Sequence, residues 1–122
     1  MSESLRPTLY GIANCDTVRR ARAWLAANGI DVLFHDFKKA GLSSAQVERW
    51  RHAIGWEPLV NRKGTTWRTL PESRRETVTD ADTAQALMLE FPSVVKRPVL
   101  EIGSAVVVGF DESRYRSLFA AS

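Results

Sequence analysis

A small mixed α/β fold, with a strand-helix-strand unit at the front and a hairpin followed by a helix at the back, is the class this sequence predicts. Three observations predict it. An apolar run, an amphipathic helical stretch and a second apolar run follow one another within the first 37 residues. Two β-rich runs joined by Gly103-Ser104 stand near the other end, and mainly helical patterning fills the middle. With 122 residues, 44% hydrophobic and 25% charged, the chain can bury a core of its own. That composition excludes disordered, collagenous and low-complexity classes.

The elements follow in order. Thr8-Leu9-Tyr10-Gly11-Ile12 is short and apolar and closes on Ala13-Asn14, the pattern of a buried strand running into a loop. From Asp16 to Asn28 the apolar residues Val18, Ala21, Trp24 and Leu25 recur at helical spacing, with Arg19, Arg20 and Arg22 between them, and Asn28-Gly29 supplies a stop. Ile30 to Phe37 is rich in Val, Leu and Phe, so a strand parallel to the first is expected to return through this helical crossover. Ser43-Ser44-Ala45-Gln46 begins a helix with a capping serine, and Val47, Trp50, Arg51 and Ile54 continue it up to Gly55. Trp56 to Thr69 holds Pro58, Gly64 and paired threonines and is expected to be mostly loop with a short helical turn. Pro71 to Thr77 and Asp80 to Phe91 fit two further helices, the second with Ala81, Ala84, Leu87, Met88 and Phe91 on one face.

Val99-Leu100-Glu101-Ile102 and Ala105-Val106-Val107-Val108 form a hairpin, and Asp111-Glu112-Ser113 opens a last helix through Tyr115, Leu118 and Phe119. The sum is one domain over residues 1–122 with a thioredoxin-like arrangement, βαβ then ββα around a small mixed sheet, and a helical insertion at about residues 42–91 between the halves.

Several function classes are excluded at once. The single cysteine, Cys15, allows no internal disulfide and no CxxC pair for zinc or redox work, which suits a reducing compartment. The first residues lack the apolar segment of a secretory signal, and no stretch is long enough to span a bilayer, so a cytoplasmic protein without membrane contact is expected. No GxxxxGK[ST], GxGxxG or GxSxG occurs. His35 and His52 stand in no ligand spacing, and a metal is not expected. A net charge of +3 spread along the chain makes no nucleic-acid stripe, and Trp24, Trp50, Trp56 and Trp67 are assigned to core packing. The default assembly is a monomer.

Cys15 follows the first strand at the opening of the first helix, where unpaired N–H groups and the helix dipole favour an anion, so its thiolate is a candidate nucleophile. Arg97 precedes Pro98 at the entrance to the third strand, which a thioredoxin-like fold sets beside the helix bearing Cys15. Its guanidinium would lower the thiol pKa and offer donors to an anion. The isomer of the Arg97-Pro98 bond stays open at this point. Asn14 and Asp16 flank the cysteine and are good helix caps. Asn61, Arg62, Lys63 and Arg68, around Gly64-Thr65-Thr66-Trp67, form a basic loop suited to an anionic substrate such as a tripeptide thiol, or simply to water. Arg19, Arg20 and Arg22 are expected on the wet face of the first helix, with nothing to single one out.

Taken together, Leu9-Tyr10-Gly11-Ile12, Asn14-Cys15-Asp16-Thr17, Gly64-Thr65-Thr66-Trp67-Arg68 and Lys96-Arg97-Pro98 give the chain a resemblance to the arsenate reductase-like ArsC/Spx family, nearest its YffB branch. The resemblance runs from about Thr8 to Phe119. It implies a thioredoxin-like fold, a nucleophile at Cys15 and an arginine before a cis proline at Arg97-Pro98, with Asn14, Asn61, Arg62 and Pro98 as candidates for binding substrate or glutathione. The glutaredoxin-linked arsenate reductases of the family carry a histidine four residues before the cysteine, where this chain has Gly11. They also hold the oxyanion with three arginines, and only Arg97 has a counterpart; Asn61 and Gly109 align with the other two, with Arg62 nearby. Spx-type regulators often carry a second cysteine where this chain has Val18. The leading expectation is a glutathione-dependent thiol reductase that forms a mixed disulfide at Cys15, with no tightly bound cofactor and with glutathione as co-substrate. The alternatives are arsenate reduction with glutathione and glutaredoxin, and a non-catalytic Spx-like module that contacts the RNA polymerase α subunit.

Overall fold

The computed structural model describes residues 6–120 and contains four strands: β1 (Thr8–Gly11), β2 (Leu33–Asp36), β3 (Val99–Ile102) and β4 (Ala105–Val108). They form one sheet in the order β2-β1-β3-β4, with β1 parallel to β2 and antiparallel to β3, and β3 antiparallel to β4. The expected mixed α/β, thioredoxin-like sheet is present, its first two strands joined by the crossover helix α1 (Asp16–Ala27) and its last two by a tight hairpin. Gly103 turns that hairpin at φ 56°, which a two-residue loop between right-twisted strands demands. A final helix, α7 (Glu112–Ala120), follows.

Two compact units divide the described chain: one runs to Asp36 and resumes at Arg97, and the other is Phe37–Lys96. In the first, the period of two along each strand sets the core. Leu9 lies opposite Phe34 on β2 and Leu100 on β3, and Leu100 opposite Val107 on β4, so one sheet face presents four apolar side chains in register. Ala21 and Leu25 of α1 and Tyr115 of α7 are fully buried in the same cluster, with Trp24, Phe110, Leu118 and Phe119 packed around it. Tyr115 is ringed by aromatic partners, edge-on to Phe110 at 4.9 Å and to Trp24 at 5.8 Å.

The second unit is helical: α2 (Phe37–Ala40), α3 (Ser44–Ile54), a 3-10 turn at Glu57–Leu59, α4 (Thr65–Thr69), α5 (Glu72–Arg75), α6 (Ala81–Glu90) and a 3-10 turn at Pro92–Val94. Its longer helices α3 and α6 pack together. Phe37, Val47, Trp50, Leu59, Leu87 and Met88 are wholly buried, and an antiparallel bridge joins Val60, in the middle of this unit, to Val95 near its end. Both long helices start in capping boxes, Ser43 with Gln46 and Asp80 with Thr83.

The structure departs from the sequence expectation in its short pieces. The strand expected over residues 30–37 is confined to Leu33–Asp36, and Phe37 instead opens the one-turn helix α2 and is fully buried. The helix expected over residues 71–77 shrinks to Glu72–Arg75. Four- and five-residue helices hold little more than a single turn, too short for a repeat to register in a hydrophobic pattern.

Candidate active site

Cys15 is the N-cap of α1, in extended conformation (φ −147°, ψ 125°), and its carbonyl accepts the N–H of Arg19 at 2.9 Å. A close approach of strand and helix holds it there. A Cβ on Gly11 would stand 2.8 Å from Val18 Cγ2 and 3.1 Å from Cγ1, so β1 and the first turn of α1 meet where only glycine fits without movement. The loop between them is also held from β2, with the Ala13 N–H on the Asp36 carboxylate at 3.4 Å. The histidine that arsenate reductases of this type carry four residues before the cysteine would therefore have to displace Val18.

The side chain of Cys15 is partly exposed and makes no ordinary capping hydrogen bond. Burial pushes its thiol pKa up, but this is outweighed by the Val18 N–H, by the hydrogen bond and charge of Arg97, and by the Thr17 N–H, and the pKa lies below the ordinary cysteine value. These are the groups that sequence reasoning placed around the sulfur: a helix N-terminus and the distant Arg97. Arg97 stands before β3 on a cis bond to Pro98, and Pro98 is buried, its carbonyl accepting the Gly109 N–H at 2.8 Å. Gly109 itself has φ 84°, a backbone state that an arginine at that position would adopt only under strain.

Two neighbours of the cysteine behave differently from expectation. Neither Asn14 nor Asp16 caps α1, because the chain enters the helix one residue later than Asn14 and Asp16 is already its first residue. Both side chains instead accept from Arg19: Nη2 donates to Asn14 Oδ1 and Nη1 to Asp16 Oδ1, each at 2.7 Å. The Asp16-Arg19 spacing was the sequence signal that could have singled out this arginine among the three on α1. Arg22 lies over the Phe34 ring at 4.1 Å.

Asn61 and Arg62 belong to the second unit. The backbone N–H of Asn61 donates to Val94 and its Oδ1 accepts the Lys63 N–H at 3.2 Å, so this residue shapes its own turn. The Arg62 guanidinium stands 5.7 Å from the ring centres of both Trp56 and Trp67. Those two tryptophans are half-buried and flank a cation, whereas Trp50 is the fully buried core residue that sequence reasoning expected all four to be.

Comparison with known proteins extends this picture. The sequence matches the ArsC family over residues 10–118. It is 38% identical over 113 residues to an uncharacterized protein of Haemophilus influenzae, covering 93% of this chain and 98% of that one. The solved structure of a YffB protein superposes with a TM-score of 0.87 at 41% identity, covering 91% of this chain and 96% of that one. An arsenate reductase (ArsC) related protein from Brucella melitensis gives 0.74 at 49% identity, with coverages of 95% and 96%. An arsenate reductase from Vibrio cholerae, 18% identical, shares the fold at 0.76 over 88% of this chain and 92% of that one. With a family match spanning nearly the whole described chain and relatives well above 30% identity, this protein belongs to the ArsC family.

Proposed function

We propose that this protein is a glutathione-dependent thiol oxidoreductase with Cys15 as its nucleophile. The observation that carries the reading is the joint action of Arg97 and the uncapped start of α1 on the sulfur of the chain's single cysteine. A lowered pKa raises the thiolate fraction above that of an ordinary cysteine, and partial exposure leaves it within reach of a substrate disulfide. In the first step the Cys15 thiolate attacks the glutathione sulfur of a glutathionylated substrate. A bond forms between the two sulfurs, the substrate disulfide breaks, and the substrate leaves as a thiolate that takes a proton from water. With no second cysteine in the chain, resolution falls to free glutathione. Its thiolate attacks the glutathione sulfur held on Cys15, oxidised glutathione departs, and the Cys15 thiolate is restored. One substrate disulfide is reduced for each glutathione added, and electrons balance without another reductant.

The test is incubation with oxidised glutathione at pH 7 followed by intact mass, and then turnover of a glutathionylated peptide coupled to NADPH through glutathione reductase. One adduct per chain, located at Cys15, together with turnover is the expected result. A chain that forms no adduct and turns nothing over overturns the reading. Arsenate supplied as the oxidant, with glutaredoxin present, tests the second reading, which the relative named as an arsenate reductase (ArsC) related protein suggests. Little NADPH consumption is expected there, because Gly11 is closed to a histidine and Gly109 disfavours an arginine.

A further inference from the structure

We infer that Arg19 is a positioning residue for this chemistry: its two bonds hold the amide of Asn14, the residue before Cys15, so that it offers only hydrogen-bond donors to a carbonyl or carboxylate of the glutathionyl group. The inference rests on the glutathione reading of Cys15 and deepens it.

A guanidinium has donors and no acceptor, so the atom of the Asn14 amide that faces Arg19 is its oxygen, and the amide has one orientation, not two. Oδ1 is then occupied at 2.7 Å, and the NH2 group is left for the ligand; among the described residues it meets no acceptor. The second branch of the fork, to Asp16 Oδ1 at 2.7 Å, stops the arginine from swinging away and sets a positive charge against the carboxylate that immediately follows Cys15. The same residue donates its backbone N–H to the Cys15 carbonyl at 2.9 Å, so the fork and the cysteine share one turn of helix. Asn14 is exposed, and the side chains of Arg19 and Asp16 are 54% and 92% exposed. An exposed pair contributes little to folding stability, which makes orientation of the loop, and not support of the fold, the effect to look for. A ligand attached at the sulfur is tripeptide-like, with backbone carbonyls and two carboxylates, all acceptors. Those are the groups a fixed NH2 favours and a freely flipping amide would meet only part of the time.

The decisive variant is Arg19→Lys, which keeps the charge and loses the fork, with Arg19→Met beside it and Arg20→Met as the charge control. Two second-order rates are measured on each chain: alkylation of Cys15 by iodoacetamide, a small neutral reagent that reads the thiolate, and adduct formation with oxidised glutathione, which also reads docking. Arg19→Lys and Arg19→Met are expected to leave alkylation within about twofold of wild type and to slow glutathionylation by about tenfold, the loss of one charge-assisted positioning contact. Asn14→Asp retains the acceptor for Arg19 and removes the donors; its glutathionylation rate, divided by its alkylation rate, is expected to fall by at least as much. Arg20→Met is expected to change both rates little. If Arg19→Lys behaves as wild type, or if both rates fall together in the Arg19 variants, the positioning role is wrong while the functional reading stands. If wild type itself is alkylated but never glutathionylated, the functional reading fails, and the inference with it.

Discussion

At α3 and α6 the cap side chain accepts the third backbone N–H of the helix while the cap's own backbone N–H donates to the side chain of that third residue, whereas α1 begins with a cysteine that caps nothing in its thiol form. All three starts have the same extended cap backbone, so the difference lies in the side chain alone. A capping box satisfies the orphan donors of the first turn permanently. At α1 the corresponding N–H groups, those of Thr17 and Val18, are left facing a sulfur, where they stabilise an anion and not a neutral group. The starts of α3 and α6 serve stability, and that of α1 is kept for a charge that appears only when the thiol ionises.

Replacing the unusual cap with an ordinary one is the strongest way to break that contrast. Cys15→Ser is expected to abolish both alkylation and glutathione adduct formation, since no other thiol exists. The hydroxyl can accept from the first turn as Ser43 does, so the same variant is expected to stabilise the fold by about 1 kcal/mol in denaturant titration. Loss of reactivity without any gain in stability would mean that the first turn of α1 is not under-satisfied. Next in size is Arg97→Met. Burial alone would hold the thiol pKa above its ordinary value, and Arg97 is part of what reverses it. Removing the guanidinium is therefore expected to move the midpoint of the pH-rate profile for alkylation upward, lowering the rate at pH 7 by about tenfold with the plateau at high pH unchanged. An unmoved midpoint would assign the activation to the helix start alone. The smallest effect is expected at the ordinary caps. Ser43→Ala is expected to cost about 1 kcal/mol of stability and to leave the alkylation profile of Cys15 as it is, and a shifted profile would show that the two kinds of helix start are not independent.

The parts of the fold legible in the sequence are those whose pattern lasts longer than its period. Strands β3 and β4 read clearly because four β-rich residues on each side of Gly103-Ser104 announce a hairpin, and α1, α3 and α6 each show two turns or more of helical spacing. α2, α4 and α5 last one turn, too short for a repeat to show in a window over the sequence: α2 buries the single residue Phe37, and α4 and α5 bury none. The meeting of Arg97 with the Cys15 thiol was legible because each stands next to strong punctuation, a strand end and a proline. Asn14 was misread as a cap because both it and Asp16 are cap-forming types, and only the backbone decides that the cap is the residue between them. Arg19 was hidden among three arginines on one helix, and Trp56 and Trp67 were taken for core because a tryptophan beside a cation looks the same in sequence as one beside a leucine.

The central pair of the sheet, β1 with β3, draws its strands from opposite ends of the chain, and the whole of Phe37–Lys96 is synthesised between them. Cys15 leaves the ribosome early, and Arg97 arrives only after that intervening length has been made. Until then the sulfur has no guanidinium beside it, and a nascent, truncated or locally opened chain carries a cysteine of ordinary acidity. Closing so long a segment costs chain entropy that only the finished sheet repays. The lowered thiol pKa is thereby tied to completion of the fold: under the proposed function, a chain that has not yet finished folding is poorly armed to be captured by oxidised thiols, and its reactivity arrives in the same event that brings β1 and β3 together.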